Sequence, residues 1–336
     1  MSSRASSMAV VSGLLVASRL VACSASSSNT PPETSSHAAS SAAPSASSSE
    51  VVEAPAPAVS SSPVASASAS AKPTAPPGMA LVPAGTFKMG LNKGGEQDEA
   101  PEHNVTLKAF YLDLTEVTNE AYYECVNAGV CPPHDANSAQ INKVGDDKKF
   151  RRPKQPISAI SWDDSKKYCQ WKGKRLPSEA EWERAARGDD GRMFPWGNDK
   201  PTHEHAVFGE GATSEVGSRP KGAGPYGHLD MAGNVWEWVE DMYDPFAYRR
   251  KTASEGVPGS CEEILATQNE LRRNGMQGFT GTNPIPAECE HVLRGGAFNY
   301  EGRGLRSSNR VHHAARFHLV MSGFRCAKDA ELSVAS

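Results

Sequence analysis

The chain has 336 residues, 38% of them hydrophobic, and a formal net charge of −4, enough length for one or two domains at roughly 150 residues each. It has no long basic run and so lacks the electrostatic footprint of a nucleic-acid binder. No apolar run reaches the ~18 residues that a membrane-spanning helix needs.

The first predicted element is an export signal, residues 1–23. Arg4 precedes a short apolar run starting at Met8, of the length of a signal-peptide h-region. The run leads into Leu20-Val-Ala-Cys23, which resembles the lipobox of bacterial lipoproteins. That resemblance implies cleavage before Cys23 and lipidation of its sulfur. The expected location is the cell envelope, periplasmic or outer-surface, with membrane contact through the lipid anchor only. A plain secretory signal with an incidental Cys is the alternative, and Arg19 beside the cut favours it. Residues 24–78 are almost all Ser, Ala and Pro. Such a segment buries too little apolar area to offset its ordering entropy, so a disordered tether is expected. A flexible chain of that length spans roughly 40 Å.

The folded head is expected from Met79 to Asp329, with 330–336 as a tail. Ala80–Gly90 reads as a short strand, a Gly turn and a second strand, and Val105–Leu114 as a further strand. Thr118 caps a helix ending near Gly129. Ser161, with Asp164 three residues on, opens the helix of Tyr168, Cys169 and Trp171. Ser178 and Glu181 form the capping box of the Ala180–Arg187 helix. After Gly188 the chain turns Gly/Pro-rich and irregular, with brief strands at Val292–Phe298 and Gly323–Ala327. Few strands, three helices and long loops indicate an α+β domain.

Apart from Cys23, six cysteines remain: Cys125, Cys131, Cys169, Cys261, Cys289 and Cys326. An even count in an exported protein favours disulfides. Proximity in sequence suggests Cys125–Cys131 and Cys261–Cys289, leaving Cys169–Cys326. A redox or metal-binding pair is the rival reading, but no C-x-x-C occurs and the spacings match no zinc module.

Motifs along the head resemble the formylglycine-generating-enzyme (sulfatase-modifying factor) family. They are Val82-Pro-Ala-Gly-Thr-Phe-Lys-Met-Gly90, Tyr111-Leu-Asp-Leu-Thr-Glu-Val-Thr-Asn119, Pro156-Ile-Ser-Ala-Ile-Ser-Trp162 and the run from Gly173 to Gly188. Phe194-Pro-Trp-Gly-Asn198, Gly233-Asn-Val-Trp-Glu-Trp238, Arg294-Gly-Gly296 and Gly323-Phe-Arg-Cys326 complete the series. The resemblance implies a variant of the C-type-lectin-like fold with little regular secondary structure, and it supports the Cys169–Cys326 pairing. Family members include copper-dependent oxidases, parts of sulfoxide synthases and binding modules, so the fold leaves function open.

The family's oxidase converts a sulfatase cysteine to formylglycine, with Cu(I) held between two cysteines just after the Arg-Gly-Gly motif. A soft ion suits a thiolate pair. Those two positions fall here on Tyr300 and Leu305, and Ala297 stands where a Ser normally follows the glycines, so copper is not expected. The resemblance also places a structural Ca2+ on the carboxylates of Asp230 and Glu237 and the backbone oxygens of Gly233 and Val235, a hard donor set that suits the ion. The alternative is an acidic pair that caps backbone amides. The family's other calcium site has no recognisable acidic loop in Ala206–Arg219. A substrate cleft would be lined by Trp236, Phe298, Tyr300 and Arg303.

Three histidines, His312, His313 and His318, precede the last strand, but adjacent His312 and His313 point different ways on a strand, which disfavours a shared metal. Arg303, Arg306, Arg310, Arg316 and Arg325 read either as an anion-friendly surface or as braces of the core. Two functional readings stand. One is a non-catalytic binding or scaffold module, a pseudoenzyme, for an unknown protein, peptide or glycan ligand. The other is an oxidoreductase or protein-modifying enzyme with a different residue set around Tyr300. The Tyr243–Glu290 insertion is the expected seat of individual specificity.

Overall fold

The computed structural model describes residues 75–134, 147–250, 252–256, 259–275, 278–280, 283–284 and 288–330. The expected signal peptide, Cys23, nearly all of the linker and residues 331–336 lie outside this set. In chain order the regular elements are β1 Met79–Val82, β2 Gly85–Met89, β3 His103–Leu107, β4 Phe110–Asp113, α1 Asn119–Asn127, α2 Trp162–Trp171, α3 Glu179–Arg187 and β5 Trp236–Met242. They continue with α4 Cys261–Arg273, β6 Gly278–Thr280, β7 Asn283–Pro284, β8 His291–Arg294, β9 Arg310–His313, β10 Ser322–Gly323 and β11 Ala327–Asp329.

The helices start where side-chain oxygens satisfy the first free N–H groups. Thr118 accepts from Ala121, Ser161 from Asp164, and Ser178 and Ser260 each form a capping box with the Glu three residues on. Such a cap contributes about 1 kcal/mol. α4 is an addition to the three expected helices, and its Ser260–Glu263 box was a legible signal inside the stretch read as irregular. The Val105–Leu114 strand is also corrected. It divides into β3, which pairs with β2, and β4, which pairs with β1 on one side and β11 on the other.

A second sheet, in the order β10-β5-β8-β9, holds the Trp236 to Trp238 segment at its centre. Trp236 and Trp238 are buried with Tyr122, Tyr168 and Phe324 in the largest apolar cluster. A neighbouring cluster gathers Trp182, Phe110 and Tyr243. Among the described residues three disulfides are formed, Cys125–Cys131, Cys169–Cys326 and Cys261–Cys289.

α3 is buried along its whole length, its charged residues included. Ionised groups cannot be left unpaired in such a place. Glu183 therefore pairs with Arg294 of β8, and Glu179 with Arg310 of β9 at 2.6 Å. This ionic layer ties α3 to the second sheet and fixes the chain on both sides of residues 295–309.

Candidate functional site

Two places hold the residues expected to carry function. The first is the irregular approach to β5. Asp230, Gly233 and Asn234 all adopt positive φ, at 56°, 82° and 60°. At Gly233 a Cβ would lie 2.3 Å from the Val207 carbonyl oxygen, so only glycine fits. This turn sets Asp230 against the Gly217 amide, which donates to its Oδ2 at 2.6 Å. Glu237, one residue into β5, is fully buried and takes Arg325 in a two-pronged pair at 2.6 and 2.7 Å, with the Trp182 indole N–H at 2.8 Å.

A third buried carboxylate, Glu116, belongs to the same place. It accepts from the Asn234 side chain at 2.9 Å and from the Val235 amide at 3.3 Å. Burial, then the charges of Asp230 and Glu237, push its carboxyl well above the usual range. Burial also raises Asp230, against the pull of the Gly217 amide and Arg325. Three carboxylates thus surround the Arg325 guanidinium, an excess of negative charge that a cation would relieve. Among the described residues no donor reaches the carbonyls of Gly233 or Val235, and Glu237 Oε1 accepts only from Arg325. These groups fit a hard, oxygen-seeking ion. No three His, Cys, Asp or Glu side chains among the described residues could hold a metal by themselves, so such an ion would depend on the backbone oxygens. Sequence reading missed Glu116, although it lies within the quoted Tyr111–Asn119 motif.

The second place follows the Arg294-Gly-Gly motif. The buried Arg294 guanidinium donates to the carbonyls of Ser307, Ser308 and Asn309 at 2.8 to 3.0 Å, so it clasps the returning end of the 295–306 loop. Tyr300, on that loop, is 37% exposed, and its ring meets the Trp236 ring edge-on at 5.2 Å. Leu305 is 0% exposed and packs with Phe194, Ala206 and Ala232. The two positions that the family's oxidase gives to thiolates hold a phenol and a buried hydrocarbon. A copper(I) pair does not fit here.

An open cleft of about 430 Å³ adjoins Tyr300 and is lined also by Arg303, Asn309, Val311 and Met321. Of the four residues expected to line a pocket, Tyr300 and Arg303 do so. Trp236 and Phe298 do not; both belong to the core cluster, Phe298 against Phe150 at 5.3 Å.

The arginines do not form an anion-binding surface. Arg306, Arg310, Arg316 and Arg325 are each paired to a carboxylate, Glu99, Glu179, Glu288 and Glu237 respectively. Arg303 and Arg316 are largely exposed, Arg303 3.6 Å from Glu301. The histidines do not converge either. His312 Nδ1 meets Glu290 at 2.5 Å and its ring stacks on Tyr243. His313 falls on the opposite face of β9, and His318 bonds the Ala159 carbonyl.

Residues 65–330 match the family described as the sulfatase-modifying factor enzyme 1-like domain. The chain belongs to this family. Its fold is accordingly the α+β, formylglycine-generating-enzyme variant of the C-type-lectin-like fold. Among named relatives, the serine/threonine-protein kinase pkn1 of Chlamydia pneumoniae is 32% identical over 265 residues, which are 75% of this chain but only 38% of that protein's length. The formylglycine-generating enzyme of Streptomyces coelicolor is 30% identical over 323 residues, covering 77% of this chain and 91% of the enzyme. A mouse protein named inactive C-alpha-formylglycine-generating enzyme 2 is 33% identical over 216 residues, 50% of this chain and 70% of its own. Among solved structures, PvdO from Pseudomonas aeruginosa superposes with a TM-score of 0.57 at 28% identity, over 75% of this chain and 94% of that one. The relatives of this chain thus include proteins named as enzymes and proteins named as inactive.

Proposed function

We propose that this chain is an exported, lipid-anchored member of the sulfatase-modifying-factor family that binds a partner without catalysis. The observation that carries the reading is the pair Tyr300 and Leu305. A copper(I) ion needs two soft ligands facing one another, and Leu305 is sealed in an apolar cluster while Tyr300 faces the cleft. The lipobox-like Cys23 and the Ser/Ala/Pro tether support display of the head at a membrane surface. Asp230, Glu237, Glu116 and the nearby carbonyls support a structural Ca2+ that holds the 230–237 turn.

The deciding experiment measures copper affinity, and oxygen uptake on adding a thiol peptide, with the purified protein under reducing and non-reducing conditions. Non-catalytic binding predicts neither tight copper nor oxygen uptake; stoichiometric Cu(I) with peptide oxidation would overturn it. The persistence of an open cleft at Tyr300 favours keeping the second reading, a modifying enzyme with other ligands, as the outcome of that same assay. For the anchor, Cys23→Ser should move the protein from the membrane to the soluble fraction. Unchanged partitioning would remove the lipid from the proposal.

A further inference from the structure

The cleft beside Tyr300 lies within the ~300–1,000 Å³ range of small-molecule sites. Its most exposed aromatic surface is Tyr300 itself. The ring is backed by Gly304, where a Cβ would come within 3.3 Å of it, and by the edge of Trp236. A second aromatic pair borders the same loop. Phe208 carries His203 stacked at 4.8 Å and lies 3.8 Å from the Cβ position of Gly302. The main chain joins the two, because the Gly209 amide donates to the Tyr300 carbonyl at 2.9 Å.

The polar groups around the ring are mixed in kind. The exposed side chain of Asn299 makes no hydrogen bond among the described residues, and Glu301 and Arg303 stand 3.6 Å apart at the surface. Deeper in, Arg306 and Arg310 are neutralised by Glu99 and Glu179. The cleft therefore offers no excess positive charge to a phosphate or carboxylate, and Glu96 and Glu301 on its lining repel one. On the Tyr300 side it also offers no open strand edge to an extended peptide, because the carbonyls of Phe298 and Tyr300 are already taken by Glu210 and Gly209.

We propose that this cleft binds a neutral oligosaccharide, one ring of which lies on Tyr300 while Asn299, Glu301 and Arg303 exchange hydrogen bonds with its hydroxyls. A sugar ring has an apolar C–H face that suits an aromatic surface. Each hydroxyl both donates and accepts, so it meets an amide, a carboxylate and a guanidinium equally well. The inference rests on the non-catalytic reading, to which it adds a ligand class.

The test titrates the full chain with neutral tetrasaccharides of N-acetylglucosamine, glucose and mannose. A blocked neutral tetrapeptide and inorganic phosphate serve as comparisons, all followed by calorimetry and tryptophan fluorescence. At least one saccharide should saturate, with an affinity that changes little with salt. Tyr300→Ala should weaken it by roughly tenfold; Tyr300→Phe should keep it, and Asn299→Ala should weaken it in part. No saccharide binding, binding indifferent to Tyr300→Ala, or binding of the tetrapeptide alone would each overturn the proposal. Copper-dependent oxygen uptake with a thiol peptide in the same preparation would instead overturn the non-catalytic reading. Peptide binding without oxygen uptake sinks the saccharide and leaves that reading standing.

Discussion

At Glu237 a single carboxylate holds the Arg325 guanidinium through both oxygens and the Trp182 indole through one, while Asp230 and Glu116 nearby have no such full partner. Burial, only partly offset, therefore raises their carboxyls. A carboxyl raised in the folded state holds more protons there than in the unfolded chain. In the metal-free protein these groups make stability fall as pH climbs above the ordinary Asp value of 3.8. A bound cation favours the ionised forms and removes that loss. Added Ca2+ should thus raise the melting temperature more at neutral pH than at pH ~5; where the ion stands at a hundredfold excess over Kd its binding contributes about 2.7 kcal/mol of stability. Asp230→Ala should abolish the response. A wild-type protein whose melting ignores both Ca2+ and chelator would end the calcium proposal.

The same scale shows what was legible in single residues. Tyr300 and Leu305 could be placed by counting from Arg294, because a motif fixes local positions. Glu116 could not, since its contact with Asn234 spans 118 positions of the chain. Trp236 and Phe298 were near the cleft in sequence, but their rings pack inward, a choice made by the core and not by the motif.

Among the elements, helix starts were readable because the chemistry is local: one Ser or Thr oxygen meets an amide three positions on. Strand partners were not, because a strand's pattern says which face is buried and not which strand lies beside it. The contact between α3 and β5 illustrates the difference. Asp241 of β5 accepts from the Glu179 amide at 2.7 Å. Burial, then the Glu179 charge, push its carboxyl up to about 8, with Glu181 adding and Arg310 opposing. Because the folded value lies above the ordinary 3.8, the contribution is complete below that pH and is lost as pH rises through about 8. Asp241→Asn keeps an acceptor for the amide and removes the titration. Denaturation midpoints from pH ~4 to ~8 should fall less steeply in this variant, and at the upper end it should be at least as stable as the parent. Equal slopes in the two proteins would show that Asp241 does not titrate there.

Across the whole molecule, Cys169 and Cys326 join residues 157 positions apart. By the loop-entropy model a closure of that length contributes about 5 kcal/mol, against roughly 2 for a very short loop. Replacing both by Ser should lower the unfolding free energy by several kcal/mol in a denaturant titration. Replacing Cys125 and Cys131 should cost less. Comparable losses from the two pairs would put the stabilisation in local packing instead of the long loop.

Leu112 of β4 has Ala80 as its register partner on one side and Ala327 on the other, so the ends of the head lie two strand spacings apart, roughly 10 Å. A chain made from its N-terminus delivers β1 first and β11 last of these three strands. The first sheet must wait with one flank of β4 bare through some 210 residues of synthesis, and the sulfur of Cys169 waits through the 157 positions that separate it from Cys326. Completion of the head therefore comes only once its last strand has been made. A stop codon just ahead of Cys326 would cost both the closing strand and the long covalent tie.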